Sequence, residues 1–280
     1  RLGMTVIAFA ALAWALRRTE SPSLSLAALE QGGMFLLLII VILMSFANLW
    51  FYMTVALQYI YGLNALQTAV ALLPAQAAAI VGAVITRWLL RERGITVAGS
   101  VMLLGLAVSL LLSALISPGS PMWVLVLVTG LYAVASVGAG IPLTNAVMDL
   151  APPGEDGSAS AFRSAAGNIG GAVGVIVMST IVFNTFSASL SSTLESEGLT
   201  SSQSVQIAES IREGVTSENV AANYAVPVEQ VEQIADAQRD AMVDGLRAHG
   251  VSGAAFTGVC LVVFLWSRRR FPHDSAASAT

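Results

Sequence analysis

The sequence has no lysine, a single cysteine and little charge of either sign. Charged residues make up 11% of its 280 positions, against about 25% in a soluble domain. Each shortage excludes something. One cysteine, Cys260, set in an apolar run, rules out an intrachain disulfide and a thiolate metal site. The two histidines, His249 and His273, are isolated in the sequence, so no metal is expected; a structural zinc site uses about four close ligands. No Ser/His/Asp set, Cys/His pair or carboxylate dyad is spaced for catalysis, so neither enzymatic activity nor a cofactor is expected. The basic residues, thirteen arginines, form no stripe suited to nucleic acid.

Apolar residues fill 56% of the chain, and they come in long runs. From Gln31 to Thr86 there is no formal charge. As one helix this run would be roughly 84 Å long at ~1.5 Å per residue, whereas a bilayer core is about 30 Å thick. It must fold back once, and Gly62-Leu63-Asn64-Ala65 supplies the turn. The expected hairpin has spans near 34–61 and 67–90, with Arg87, Arg91 and Arg93 marking the exit. A second uncharged run, Ile95 to Met148, is broken by Ser117-Pro118-Gly119-Ser120-Pro121 into spans near 95–116 and 122–145. After the charged loop at 149–157, Ser158 is expected to cap a span near 160–184. The last span is expected near 250–267, before Arg268-Arg269-Arg270 and a tail at 268–280. The opening residues, 1–33, contain an apolar run from Leu2 to Leu16 that is too short to cross a bilayer. They read as the end of a linker helix whose upstream portion is missing, followed by a connector.

If the spans alternate, Arg17, Arg18, Arg87, Arg91, Arg93, Arg163 and the terminal arginines share one side, and the loops at 62–66 and 117–121 on the other side hold none. The positive-inside rule makes the arginine side cytoplasmic, with the C-terminus there. The segment 187–248, with ten acids and three arginines, then lies outside; long loops are exempt from the rule. Within it, Val205, Ala208, Ile211 and Val215, and again Val228, Val231, Ala235 and Met242, recur at helical spacing. These predict two short amphipathic helices, either a solvated insertion or a cap over an exit path or partner surface.

The hairpin carries a resemblance. Leu57-Gln58, Tyr61-Gly62, Leu66-Gln67 and Ala71-Leu72-Leu73-Pro74 resemble the first hairpin of the C-terminal half of the fourteen-helix drug:proton antiporters, a branch of the major facilitator superfamily. The resemblance implies an all-α membrane fold: a six-helix half bundle, preceded by the truncated end of a linker helix. It implies two inverted three-helix repeats, 34–116 and 117–267, whose first helices line a central cavity. On those helices Asn48, Tyr52, Gln58, Thr129, Tyr132 and Ser136 are candidate substrate-binding residues. Rings offer area and cation–π attraction to large apolar cations, while amides and hydroxyls orient them. The same residues also suit hydrogen bonding to neighbouring helices. Gly82, Arg87, Arg91 and Gly94 resemble the superfamily's cytoplasmic gate motif, with Leu90 in the acidic position and Glu92 beside it; membrane anchoring by the arginines is the alternative.

Gly167, Gly170, Gly171 and Gly174 form two overlapping GxxxG pairs, read as helix packing, since no βαβ context supports a nucleotide fingerprint. Gly138-Ala139-Gly140-Ile141-Pro142 predicts a kinked segment. No acid, histidine or arginine falls mid-membrane in the expected spans. The resemblance places proton-coupling residues largely in the N-terminal half, which would be a required partner along with protons, a drug-like substrate and the lipid bilayer. The function implied is proton-driven multidrug efflux across a bacterial plasma membrane, and so antibiotic resistance. Two other readings stand: export of one lipid-like or siderophore-like metabolite, and a non-transporting anchor with a partner-binding outer segment.

Overall fold

The computed structural model describes residues 29, 33–196, 198–212 and 229–270. The opening apolar run, His273 and the C-terminal tail lie outside them. Among the described residues the regular structure is helical, and five helical runs are long and apolar enough to cross a membrane.

The first run is divided. Helices α1 (Met34–Ser45) and α2 (Leu49–Tyr61) are separated by Phe46, Ala47 and Asn48. Phe46 and Ala47 donate backward to the Leu43 and Met44 carbonyls in tight three-residue turns, both at 3.1 Å. Asn48 leaves helical geometry at φ −71°, ψ 96°, and its side chain accepts from the Trp50 amide, restarting the helix as a cap does. The expected turn follows: Gly62 takes φ 64°, a left-handed value that suits glycine. Asn64 and Gln67 then close a reciprocal capping box, both bonds at 2.9 Å.

Helix α3 (Ala65–Ala71) leads into α4 (Leu73–Ser113), and the pair is one helical run of 49 residues. It contains two spans, because Gly94, at φ 76° and ψ 176°, breaks it. Helix α5 (Met122–Asp149) shows that the chain reverses there. Its Gly130, Val134 and Gly138 meet Ala78, Gly82 and Thr86 in parallel order, whereas its Ala135 and Gly138 meet Gly105 and Met102 in antiparallel order.

Helix α6 (Asp156–Ser196) runs parallel to the first span, as Gly170 meets Ile42 and Gly174 meets Phe46. Helix α8 (Glu229–Arg270) runs antiparallel to it: Cys260 lies against the Ile40 carbonyl and Phe256 stacks edge-on with Phe46 at 5.3 Å. The result is the six-span, all-α membrane bundle expected. Two apolar clusters fill it, one toward the arginine end and one toward the opposite end.

The largest departure from expectation is at that opposite end. Helices α6 and α8 contain 41 and 42 residues, roughly 62 Å each at ~1.5 Å per residue, about twice a bilayer core. The last helix therefore starts near 229, not 250, and the outer flanks of 187–248 continue the spans. Helix α7 (Ser201–Arg212) is the first of the two short helices expected. It buries Ile207, Ala208 and Ile211 against Leu190, Leu194, Ile234 and Ala237, and leaves Val205 exposed. The second is the start of α8, with Met242 buried and Ala235 half-buried. Val215 and Val228 lie outside the described residues, as does the side chain of Val231. Asp244 joins the layers: it accepts from Ser189 at 2.7 Å and pairs with Arg247, whose Nε donates to the Ala114 carbonyl.

Ser158 is not the cap of α6. The helix starts at Asp156, and the Ser158 hydroxyl donates to the Glu155 carboxylate at 2.9 Å. An acid in the first turn already favours a helix N-terminus.

Candidate functional site

The break between α1 and α2 collects half of the six polar side chains expected to matter. Asn48 is exposed at the break. Two residues on, Trp50 meets Tyr132 of α5 edge-to-face, with centroids 6.3 Å apart, a favoured geometry for aromatic pairs. The Tyr132 hydroxyl lies against Ser136 and the Leu49 backbone. The first span and α5 therefore meet where the first span is broken. Asn48, Tyr132 and Ser136 belong to this junction, and Gln58, half-buried, is on α2 beyond it.

Tyr52 and Thr129 are placed differently. Tyr52 is 2% exposed and Thr129 0%. The Tyr52 hydroxyl shares a hydrogen bond with Ser179 of α6 at 3.1 Å, and Thr129 donates to the Leu125 carbonyl of its own helix at 2.7 Å. Both point into the packed bundle. Helical periodicity puts residues on a face but cannot say which neighbour covers it.

The residue that the sequence reading passed over is His249. It is fully buried in α8, with its ring 4.3 Å from that of Tyr52 and tilted 41° to it. It faces the Asn48 backbone, yet neither ring nitrogen completes a hydrogen bond of good geometry. The clue was concealed because the acids and arginines before it, from Glu229 to Arg247, made the segment look like loop. An ionisable side chain therefore lies buried in the bundle, one position before the last span expected at 250–267.

The four residues that resemble the gate motif are placed in three ways. A Cβ added at Gly82 would strike the Val134 backbone, so this glycine permits close helix packing. Gly94 makes the turn. Arg87 and Arg91 are exposed, one helical turn apart, and line a cleft of about 870 Å³ with Trp88, Ile141 and Asn145. Arg163 forms no ion pair with Asp149, Glu155 or Asp156 among the described residues; its guanidinium reaches over Gly140.

The glycines of α6 are likewise unequal. At Gly170 an added Cβ would lie 2.6 Å from the Ile42 carbonyl oxygen, and at Gly174, 3.0 Å from the Phe46 Cα. Gly167 makes only an ordinary contact with Val41, and Gly171 has nothing within 4 Å. One GxxxG pair seats the first span; the other does not.

Six apolar helical spans packed around two apolar clusters make this a polytopic, all-α membrane protein. The family comparison identifies it further. Residues 2–175 match the model of the Major Facilitator Superfamily, and the chain belongs to that superfamily; it is a membrane transporter. No curated protein matches it.

Proposed function

We propose that these six spans are the C-terminal half of a proton-driven exporter of apolar and cationic drug-like compounds in a bacterial plasma membrane. The observation that carries this reading is the junction of Asn48, Trp50, Tyr132 and Ser136 where the two opening helices meet. Its groups are aromatic, amide and hydroxyl, without formal charge. Such a surface attracts a cation through ring faces and buries apolar area without demanding one shape. Phe51, Trp88, Leu131 and Ile176 are exposed on the same bundle, supplying apolar surface for a second bundle or lipid.

In this proposal Asn48, Gln58, Tyr132 and Ser136 touch substrate, and Tyr52 and Thr129 hold the wall behind them. Arg87 and Arg91 meet the partner half on the cytoplasmic side. Alternating access needs one bundle to rock against another, so a separate N-terminal bundle and protons complete the machine.

The test is uncoupler-sensitive export of a fluorescent cationic dye from vesicles. Export is expected when this chain is joined to an N-terminal bundle and absent with this chain alone. Asn48→Leu and Ser136→Leu should change which dyes are exported while leaving folded protein in the membrane. Unchanged export of every dye in both variants would count against the site. Orientation is checked after Cys260 is replaced: Gly119→Cys should react with an impermeant thiol reagent on intact cells and Asp156→Cys should not. The reverse labelling pattern would sink the orientation. Export confined to one lipid-like metabolite would favour the specific exporter.

A further inference from the structure

We propose that His249 is a proton-binding site of this bundle: once protonated, its ring is received by the face of Tyr52 and the backbone carbonyl of Asn48, tightening α8 against the break in the first span. The inference deepens the proposed proton coupling by giving this half a group that can hold a proton.

The geometry carries the argument. A neutral imidazole has one donor and one acceptor nitrogen, and an imidazolium has two donors. Both His249 nitrogens are buried without a partner, in a ring that is 0% exposed. The neutral state therefore has an unmet acceptor as well as an unmet donor, which tertiary structures seldom tolerate. The ring lies 4.3 Å from Tyr52, within reach for a cation over an aromatic face. It also faces the Asn48 backbone, where the chain has left helical geometry at ψ 96°. Asn48 itself is exposed, so the buried ring is one residue away from accessible surface.

No neighbouring charge competes for this role. Beside positions 245–253 of α8, helix α6 places Met178, Val182 and Phe186, and α4 places Leu110 and Ser113. All are uncharged. Tyr52 is the titratable group from α2. On α8 itself, Asp244 and Arg247 are the nearest charges, and they pair with each other at 2.7 Å. Ionisable groups inside membrane bundles mark proton and ion relays as a rule, and the free backbone groups at a helix break are where such sites bind cations.

The test uses the full chain in detergent with Trp14, Trp88, Trp123 and Trp266 replaced by Phe. Trp50, two residues past the break and edge-on to Tyr132, then reports alone. Its emission is expected to show a one-proton step between about pH 8 and about pH 4. His249→Gln should abolish the step. Tyr52→Leu, which removes the ring face, should move it down by about half to one pH unit. A flat titration, or a step that survives in His249→Gln, overturns the proposal. If the glutamine variant does not fold, the imidazole resonances of a His273→Gln chain decide: a His249 ring that does not titrate overturns it. Both readouts need no transport, so they separate failure of this site from failure of the exporter reading.

Discussion

The first span and α5 invert what their sequences suggest. Helix α5 contains Pro142 shortly after Gly138 and Gly140 and is continuous from Met122 to Asp149. The first span has neither proline nor glycine near Asn48, yet it is broken there. In α5 the Thr144 hydroxyl donates to the Gly140 carbonyl at 2.7 Å, a bond within the helix, and the carbonyl that Pro142 deprives of its amide donor is that of Gly138. At the break, Ser45 donates to the Val41 carbonyl and Asn48 accepts from Trp50. The same kind of local bond supports a continuous helix in one case and terminates helices in the other. What differs is the packing: Gly170 and Gly174 of α6 press on Ile42 and Phe46 just before the break, and His249 packs opposite Tyr52 just after it.

The comparison can be broken at the packing first. Gly174→Leu should cost about 3 kcal/mol or more, because the side chain must displace the Phe46 backbone. Gly171→Leu, in open space, should change stability by under about 0.5 kcal/mol. Unfolding in detergent, or yield of folded protein, measures both; equal effects would mean that α6 does not seat the broken helix as described. Gly82→Leu asks the same of the unbroken helix, where the side chain would collide with Val134. A loss of about 3 kcal/mol or more is expected there too, because an added Cβ would overlap the Val134 backbone more deeply than one at Gly174 would overlap Phe46.

A smaller effect is expected from the cap. Asn48→Ala should cost about 1 kcal/mol and lower protection of the Trp50 amide from hydrogen exchange, while Asn48→Asp should retain most of the protection. Smallest is Pro142→Ala, which returns a backbone donor to α5. It should shift stability by less than about 1 kcal/mol, toward greater stability. A larger loss would show that the proline, not the packing, shapes that helix.

The outer extension shows what hides from a linear reading. Composition marks 187–248 as polar, and hydropathy alone ends the spans at the bilayer. Yet apolar residues such as Leu190, Leu194, Ile234 and Ala237 continue one face of each helix, and α7 covers them. The amphipathic pattern around Ala208 and Ile211 was legible. That the second pattern belonged to the last span was not, because charge along a helix is compatible with both a loop and a solvated helix surface.

The sequence by itself determined that the chain lives in a bilayer, how many times it crosses, and where it turns. Uncharged runs longer than a bilayer must fold back; Gly62 and Gly94 supply positive-φ conformations that other residues adopt poorly, and Asn64 caps the helix that follows. It also determined which side chains could matter, but not which of them meet. Tyr52 and Tyr132 are both tyrosines on apolar helices, and only the tertiary structure puts one against Ser179 and His249 and the other against Trp50. The break at Asn48 was decided in the same way. Backbone propensity there is weak, so close packing of α6 and α8, which brings together residues more than a hundred positions apart, settles the local geometry.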